Sequence, residues 1–147
     1  MGRTYDIAPV AFAPGSAKTV LEIVAGALRG FRVKRLWITS NDVAGATVVR
    51  VQVKRITAAG TSTAITPSPK NLGDLAFTGT AGYNHTVEPT ETTILWQEQF
   101  NILSGWILPL PPGEEFEVLA TSANGISVEL LDAPGATITV GATIEED

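Results

Sequence analysis

The sequence contains no cysteine and a single histidine, His85. The first absence removes any disulfide framework and any thiolate metal site, and nothing favours passage through an oxidising compartment, so an intracellular origin is expected. The second excludes a multi-histidine metal site and leaves one lone general base, read as a loop histidine without a special role. No stretch approaches the roughly 18 to 20 uninterrupted apolar residues of a membrane helix, so no membrane partner is expected. The opening MGRTYDIAPVAFAPGSAKT is interrupted by Asp6, Pro9 and Pro14 and does not read as a signal peptide. The nucleophile motif G-x-S-x-G is missing, as are the phosphate-cradling G-x-x-x-x-G-K-S/T and G-x-G-x-x-G.

A further absence is of one sign of charge in one half of the chain. All ten Lys and Arg lie within residues 1–70 beside only Asp6, Glu22 and Asp42, a formal +7, whereas residues 71–147 hold twelve acids and no base. The total of -5 conceals this polarity. Opposite charges favour apposition, so the halves are expected to meet, either within one chain or between neighbouring copies.

What is present points to strands. The 147 residues suit one domain, 44% hydrophobic and only 17% charged, with 14 glycines and 9 prolines, a composition of short strands and tight turns. A chain of this length buries about 68 to 70% of its unfolded surface. AKTVLEIVA (17–25) reads as a strand. FRVKRLWITS (31–40) changes parity, since Phe31 and Val33 share one face while Leu36 and Ile38 fall on the other. A bulge near Lys34 and Arg35 reconciles them, and Ser40, Asn41 and Asp42 supply a turn. ATVVRVQVKRI (46–56) alternates cleanly, with Val49, Val51 and Val53 inward and Arg50, Gln52 and Lys54 outward.

Residues 57–82, rich in Gly and Pro, read as a long crossover between sheets. Strands are expected in YNHTVEP, in two segments of TTILWQEQFNILSGWILPL around residues 101–105, and in EEFEVLATS, GISVELL and ATITVGATI, the last three separated by turns at Asn124-Gly125 and Pro134-Gly135. In ILPLPPGEEFEVLA the prolines 111 and 112 hold φ near -65° and Gly113 permits a reversal. Alternation then sends Glu115 and Glu117 outward and Phe116 and Val118 inward. The expected fold class is all-β, a jelly-roll β-sandwich of about eight strands over residues 17–147, with residues 1–16 as an N-terminal arm.

Chemistry is sparse. Glu88 with Glu91, or Glu114 with Glu115, is a conceivable carboxylate pair, but solvated acids are the commoner reading, and no catalytic residue, cofactor or metal is assigned. The bases on 29–55 could cover phosphates, yet the acidic second half repels a polyanion, so nucleic acid is not an expected partner. Trp37, Trp96 and Trp106 are core or interface residues, or else a stacking platform for sugar rings, which keeps a carbohydrate-binding, lectin-like module as the alternative.

The order VLEIVAGALRGFRVKRLWIT, ATVVRVQVKRITAAGTSTAITPSP and WILPLPPGEEFEVLATSANGISVELL resembles the small jelly-roll decoration, or head-stabilising, proteins of tailed bacteriophages. The likeness covers most of residues 17–147 and includes the AAGTSTA turn, the apolar stop before a late strand and the acidic end. GISVELLDAPGATITVGATI is longer than that pattern. The resemblance implies a homotrimer on the virion's outer capsid surface, made in the host cytoplasm and bound to the major capsid protein. It also implies an interface in which Arg32, Lys34, Arg50 and Lys54 of one copy face Glu115 and Glu117 of the next, with Trp106, Leu108 and Leu110 at the contact and the arm reaching a neighbour.

Overall fold

The computed structural model describes residues 2–41 and 45–147, and among them no helix forms. The chain runs β1 (Arg3–Ile7), β2 (Lys18–Val24), β3 (Phe31–Asn41), β4 (Val48–Ala58), β5 (Thr61–Ile65), β6 (Ser68–Pro69), β7 (Thr80–Val87), β8 (Thr90–Asn101), β9 (Trp106–Pro109), β10 (Phe116–Val118), β11 (Gly125–Leu130) and β12 (Thr137–Glu146). These form two antiparallel sheets of six strands, packed as a β-sandwich. One is ordered β10-β3-β12-β1-β6, with β9 also on β3; the other is ordered β5-β7-β2-β11-β4-β8. Of the expected turn after β3, Asp42 lies outside the described residues.

The parity change in β3 is resolved as anticipated. Thr143 of β12 pairs with Arg35 and the next residue, Ile144, pairs with Val33, so Lys34 is the extra residue of a bulge. Phe31, Val33, Leu36 and Ile38 are consequently all fully buried. Without the extra residue, Leu36 and Ile38 would face outward, forfeiting about 1.5 to 3 kcal/mol each.

Four features differ from the sequence reading. The segment taken as an arm contributes β1, which pairs along β12 and buries Tyr5 and Ile7, and Phe12 bridges Ile138. Arg3–Ile7 is therefore a strand of this sheet and not a loose arm. The crossover places β5 in one sheet and β6 in the other before β7 returns to the first, which raises the strand number above eight. The proline-rich stretch does not reverse the chain. β9 pairs with residues 35–38 of β3 and β10 continues, in the same direction, against residues 31–33. They are two halves of one strand, parted opposite the bulge, where Leu110 N–H donates to the Lys34 carbonyl at 2.9 Å. The excursion closes as a tight turn in which Glu114 N–H donates to Pro111 O at 2.9 Å, with Gly113 at φ 93°. Proline before a positive-φ glycine is what a type II turn requires.

The turn before β11 is also displaced, by two residues, to Ser122-Ala123, where Asn124 N–H donates to Thr121 O at 3.1 Å. Gly125 is in the sheet between Val24 and Ile56, where a Cβ would meet the Ile23 carbonyl at 2.1 Å. The left-handed position falls instead on Ala123, at φ 90°. An L-residue with a Cβ pays about 1 to 2 kcal/mol there. Ala123→Gly is therefore expected to raise stability by about 1 kcal/mol. In urea unfolding the midpoint should rise with the slope unchanged.

Candidate interaction surfaces

The basic strands carry their charges to acids of the same chain. Of the ten bases, five pair with acids of residues 71–147: Arg3 with Glu146, Arg32 with Glu117 and Asp147, Lys34 with Glu115 and Glu145, Arg50 with Asp132, and Lys54 with Glu91 and Glu129. The register produces these pairs, because Arg32 lies opposite Glu117 on β10 and opposite Glu145 on β12. The apposition of the two halves is thus satisfied within one molecule. Arg32, Lys34, Arg50, Lys54, Glu115 and Glu117, assigned above to contacts between copies, have intrachain partners.

The pairs differ in environment. Lys34 sits 2.6 Å from both Glu115 and Glu145, and those two contacts raise its pKa. Lys34, helped by the Gly113 amide, holds Glu115 below the usual carboxylate range. Arg50 grips Asp132 with Nε and Nη2, each at 2.9 Å, while its backbone N–H donates at 3.0 Å; side-chain bonds first and that amide second lower the Asp132 pKa to about 2. Lys54 is the most enclosed. Burial opposes its charge, but Glu129 and Glu91 outweigh that and raise its pKa. Burial drives the Glu129 carboxyl upward, against the pull of Lys54 and with the repulsion of Glu91 and Glu88.

The candidate carboxylates join this enclosed polar layer on the outer face of the second sheet. Glu88 accepts the Thr19 N–H at 3.0 Å and its hydroxyl, while Glu91 accepts Ser127 Oγ at 3.1 Å and Lys54 at 2.7 Å. Both acids are bound to the chain's own donors. Glu114, by contrast, is exposed. His85 is not in a loop. It lies on β7, 1% exposed, with Nε2 3.2 Å from Glu22 Oε2 in a contact too poorly aligned for a hydrogen bond. Glu22 in turn accepts the Gly60 N–H at 3.0 Å. Among the described residues no three His, Asp or Glu gather as metal ligands.

Trp106, Leu108 and Leu110, expected at a contact between copies, are core residues only 6–7% exposed. They alternate along β9 and its extension, so the face that turns outward is that of Ile107 and Pro109. Trp106 stacks on Phe100 at 6.4 Å and donates its indole N–H to Glu98. The three tryptophans do not form one platform. Trp96 is partly exposed on β8, and Trp37 lies on the outer face of β3 against Gly141, where a Cβ would meet its Cζ2 at 2.2 Å. The Arg35 guanidinium stands 4.9 Å from the Trp37 ring centre.

Arg35, Trp37, Thr39, Ser104 and Ile107 rim an open cleft of about 350 Å³ floored by Ile38, Gly105 and Trp106. Nothing in the sequence pattern marked this cleft except the parity of β3, which turns Arg35 and Trp37 to the same outer side. Other exposed apolar side chains include Leu28 and Leu119, which share a second hollow, and Leu72 and Leu75 in the loop after β6.

Two outcomes follow from the ion pairs. Lys54→Ala leaves Glu91 and Glu129 facing each other in a half-buried site and should cost about 2 kcal/mol, whereas Arg32→Ala, at an exposed pair, should cost less than about 0.5 kcal/mol in the same unfolding assay. Asp132 is lowered in the folded state, so its contribution is present above about pH 4 and disappears as pH falls through about 2. The stability gap between wild type and Asp132→Asn, measured across pH 2 to 6, should shrink on that limb. No family model, curated protein or solved structure matches the chain.

Proposed function

We propose that this chain is a virion structural protein, a capsid decoration protein that binds the major capsid protein on the outer surface of the shell, as a ring of copies, and stabilises it without catalysis. The observation that carries the reading is strand connectivity. With β9 and β10 taken as one interrupted strand, one sheet reads β1, β12, β3, β9/β10 and the other β2, β11, β4, β8. That order supports reading the sandwich as a jelly roll of eight strands in a double Greek key, with β5, β6 and β7 as an insertion. It supports the resemblance drawn from residues 17–147.

A fold alone names no activity, so the use of the polar groups matters. Glu88 and Glu91 are bound by the chain's own donors and His85 is buried beside Glu22, whereas large apolar side chains such as Leu28, Leu72, Ile107 and Leu119 remain at the surface. That division suits contact with other proteins more than turnover. Repeated weak contacts, linked in a ring, give avidity beyond any one of them. A sugar-binding module finds less support, because Trp106 is in the core and Trp37 is engaged by Gly141 and Arg35.

The test is binding of purified protein to shells of the virus that encodes it, assembled without it. Co-sedimentation should saturate at a fixed ratio of protein to shell, and the decorated shells should survive heating that opens bare ones. No association, or uptake that rises without saturation, overturns the reading.

A further inference from the structure

We infer that the cleft of Arg35, Trp37 and Ile107 receives residues 72–75 of a second copy of this chain, head to tail. The inference rests on the reading of the protein as a ring-forming decoration protein and supplies the contact that closes the ring. Every other base meets an oxygen within the chain: six pair with carboxylates, Lys18 reaches Asn84, and Arg29 and Arg55 reach the carbonyls of Asp147 and Glu117. Among the described residues Arg35 has only the Trp37 ring. A cation over an indole, beside an exposed isoleucine and an apolar floor, calls for a ligand with a carboxylate set among aliphatic groups.

The chain displays such a group. In the loop after β6, Leu72 is fully exposed and Leu75 is 66% exposed, and Asp74 between them meets only the Asn71 amide, at 3.3 Å, with no cation among the described residues. Exposed leucines taken singly need no explanation. Here two flank a spare carboxylate on a loop that is already held. Lys70 N–H donates to Thr4 O and the Tyr5 hydroxyl to Leu75 O, each at 2.8 Å, so little ordering is needed on contact.

Position completes the argument. The cleft lies at the β9 side of the first sheet, and the loop follows β6 at its opposite edge. A contact between opposite edges uses two different surfaces, leaving each copy one free cleft and one free loop. Such heterologous contacts build rings when the rotation closes.

Charge exchange tests the pairing on the full chain. Wild type should associate in sedimentation velocity at tens of micromolar protein and low salt. Arg35→Glu and Asp74→Arg should each weaken association by at least about tenfold, and the double exchange should restore it, while far-UV circular dichroism stays unchanged because both side chains are at the surface. A monomeric wild type, association indifferent to both exchanges, or loss without rescue overturns the inference. Shell co-sedimentation separates the two readings. A wild type that decorates shells while these exchanges leave its association untouched sinks this contact alone, and an intact ring that ignores shells sinks the decoration reading alone.

Discussion

One extra residue in β3 governs the rest of the molecule. By opposing both Lys34 and Arg35 to Thr143, the bulge lets a single strand bury Phe31 and Val33 on one stretch and Leu36 and Ile38 on the next. It also sets what lies outside. Lys34 turns toward Glu115 and Glu145, and Arg35 and Trp37 come to share the outer side of the sheet, where they form one wall of the cleft. The neighbouring strand is broken at the same place. Residues 110–115 leave the sheet opposite Lys34, and the Pro112-Gly113 turn brings Glu115 back onto it. Core, ion pair, turn and cleft thus share one local irregularity, as bulges that re-aim side chains commonly do.

The sorting of charge along the chain has a topological reason. In this connectivity, first-half strands are flanked by second-half strands: β3 lies between β12 and β9/β10, β4 between β11 and β8, and β2 between β7 and β11. A basic first half and an acidic second half therefore place unlike charges side by side around β3 and β4, as in Arg32 with Glu117, Lys34 with Glu145 and Lys54 with Glu91 and Glu129. The arrangement also works against wrong pairings, since β3 beside β4 would align Arg32, Lys34 and Arg35 with Arg50, Lys54 and Arg55. Like charges directly opposite are destabilising, so the polarity favours the native strand order as well as the folded state.

How much of this was legible depended on whether the signal was local. Alternation in 46–56 and the parity change in 31–40 are properties of a few consecutive residues, and both strands and the bulge follow from them. The charge asymmetry was equally plain, but whether its partners belong to one chain depends on sheet order, which no short window contains. Trp106, Leu108 and Leu110 alternate with Ile107 and Pro109, so their common burial was available from period-two reasoning. The prolines drew attention to a turn and hid the continuity of the strand across it. β1 was obscured because Arg3, Tyr5 and Ile7 lie between polar residues and a proline, and only the edge of β12 makes that short segment a strand. The buried contact of His85 with Glu22 could not be read from sequence, since it depends on two strands far apart in the chain.

Because the ion pairs are formed internally, charge has little left to contribute to association. Beside the half-exposed ion pairs the surface carries apolar groups, among them Leu28 with Leu119 at one hollow, Leu72 with Leu75 on the anchored loop, and Ile107 beside Trp37. Apolar contact is non-directional and on its own selects neither partner nor register. Arg35, with only the Trp37 ring as partner among the described residues, and Asp74, a carboxylate with no cation among them, are each set among such groups on opposite edges of one sheet and provide the missing discrimination, because a register that fails to bring them together buries an unpaired charge. A brick that pairs most of its bases within its sheets can therefore associate through apolar area while an ionic pair between opposite edges decides the geometry.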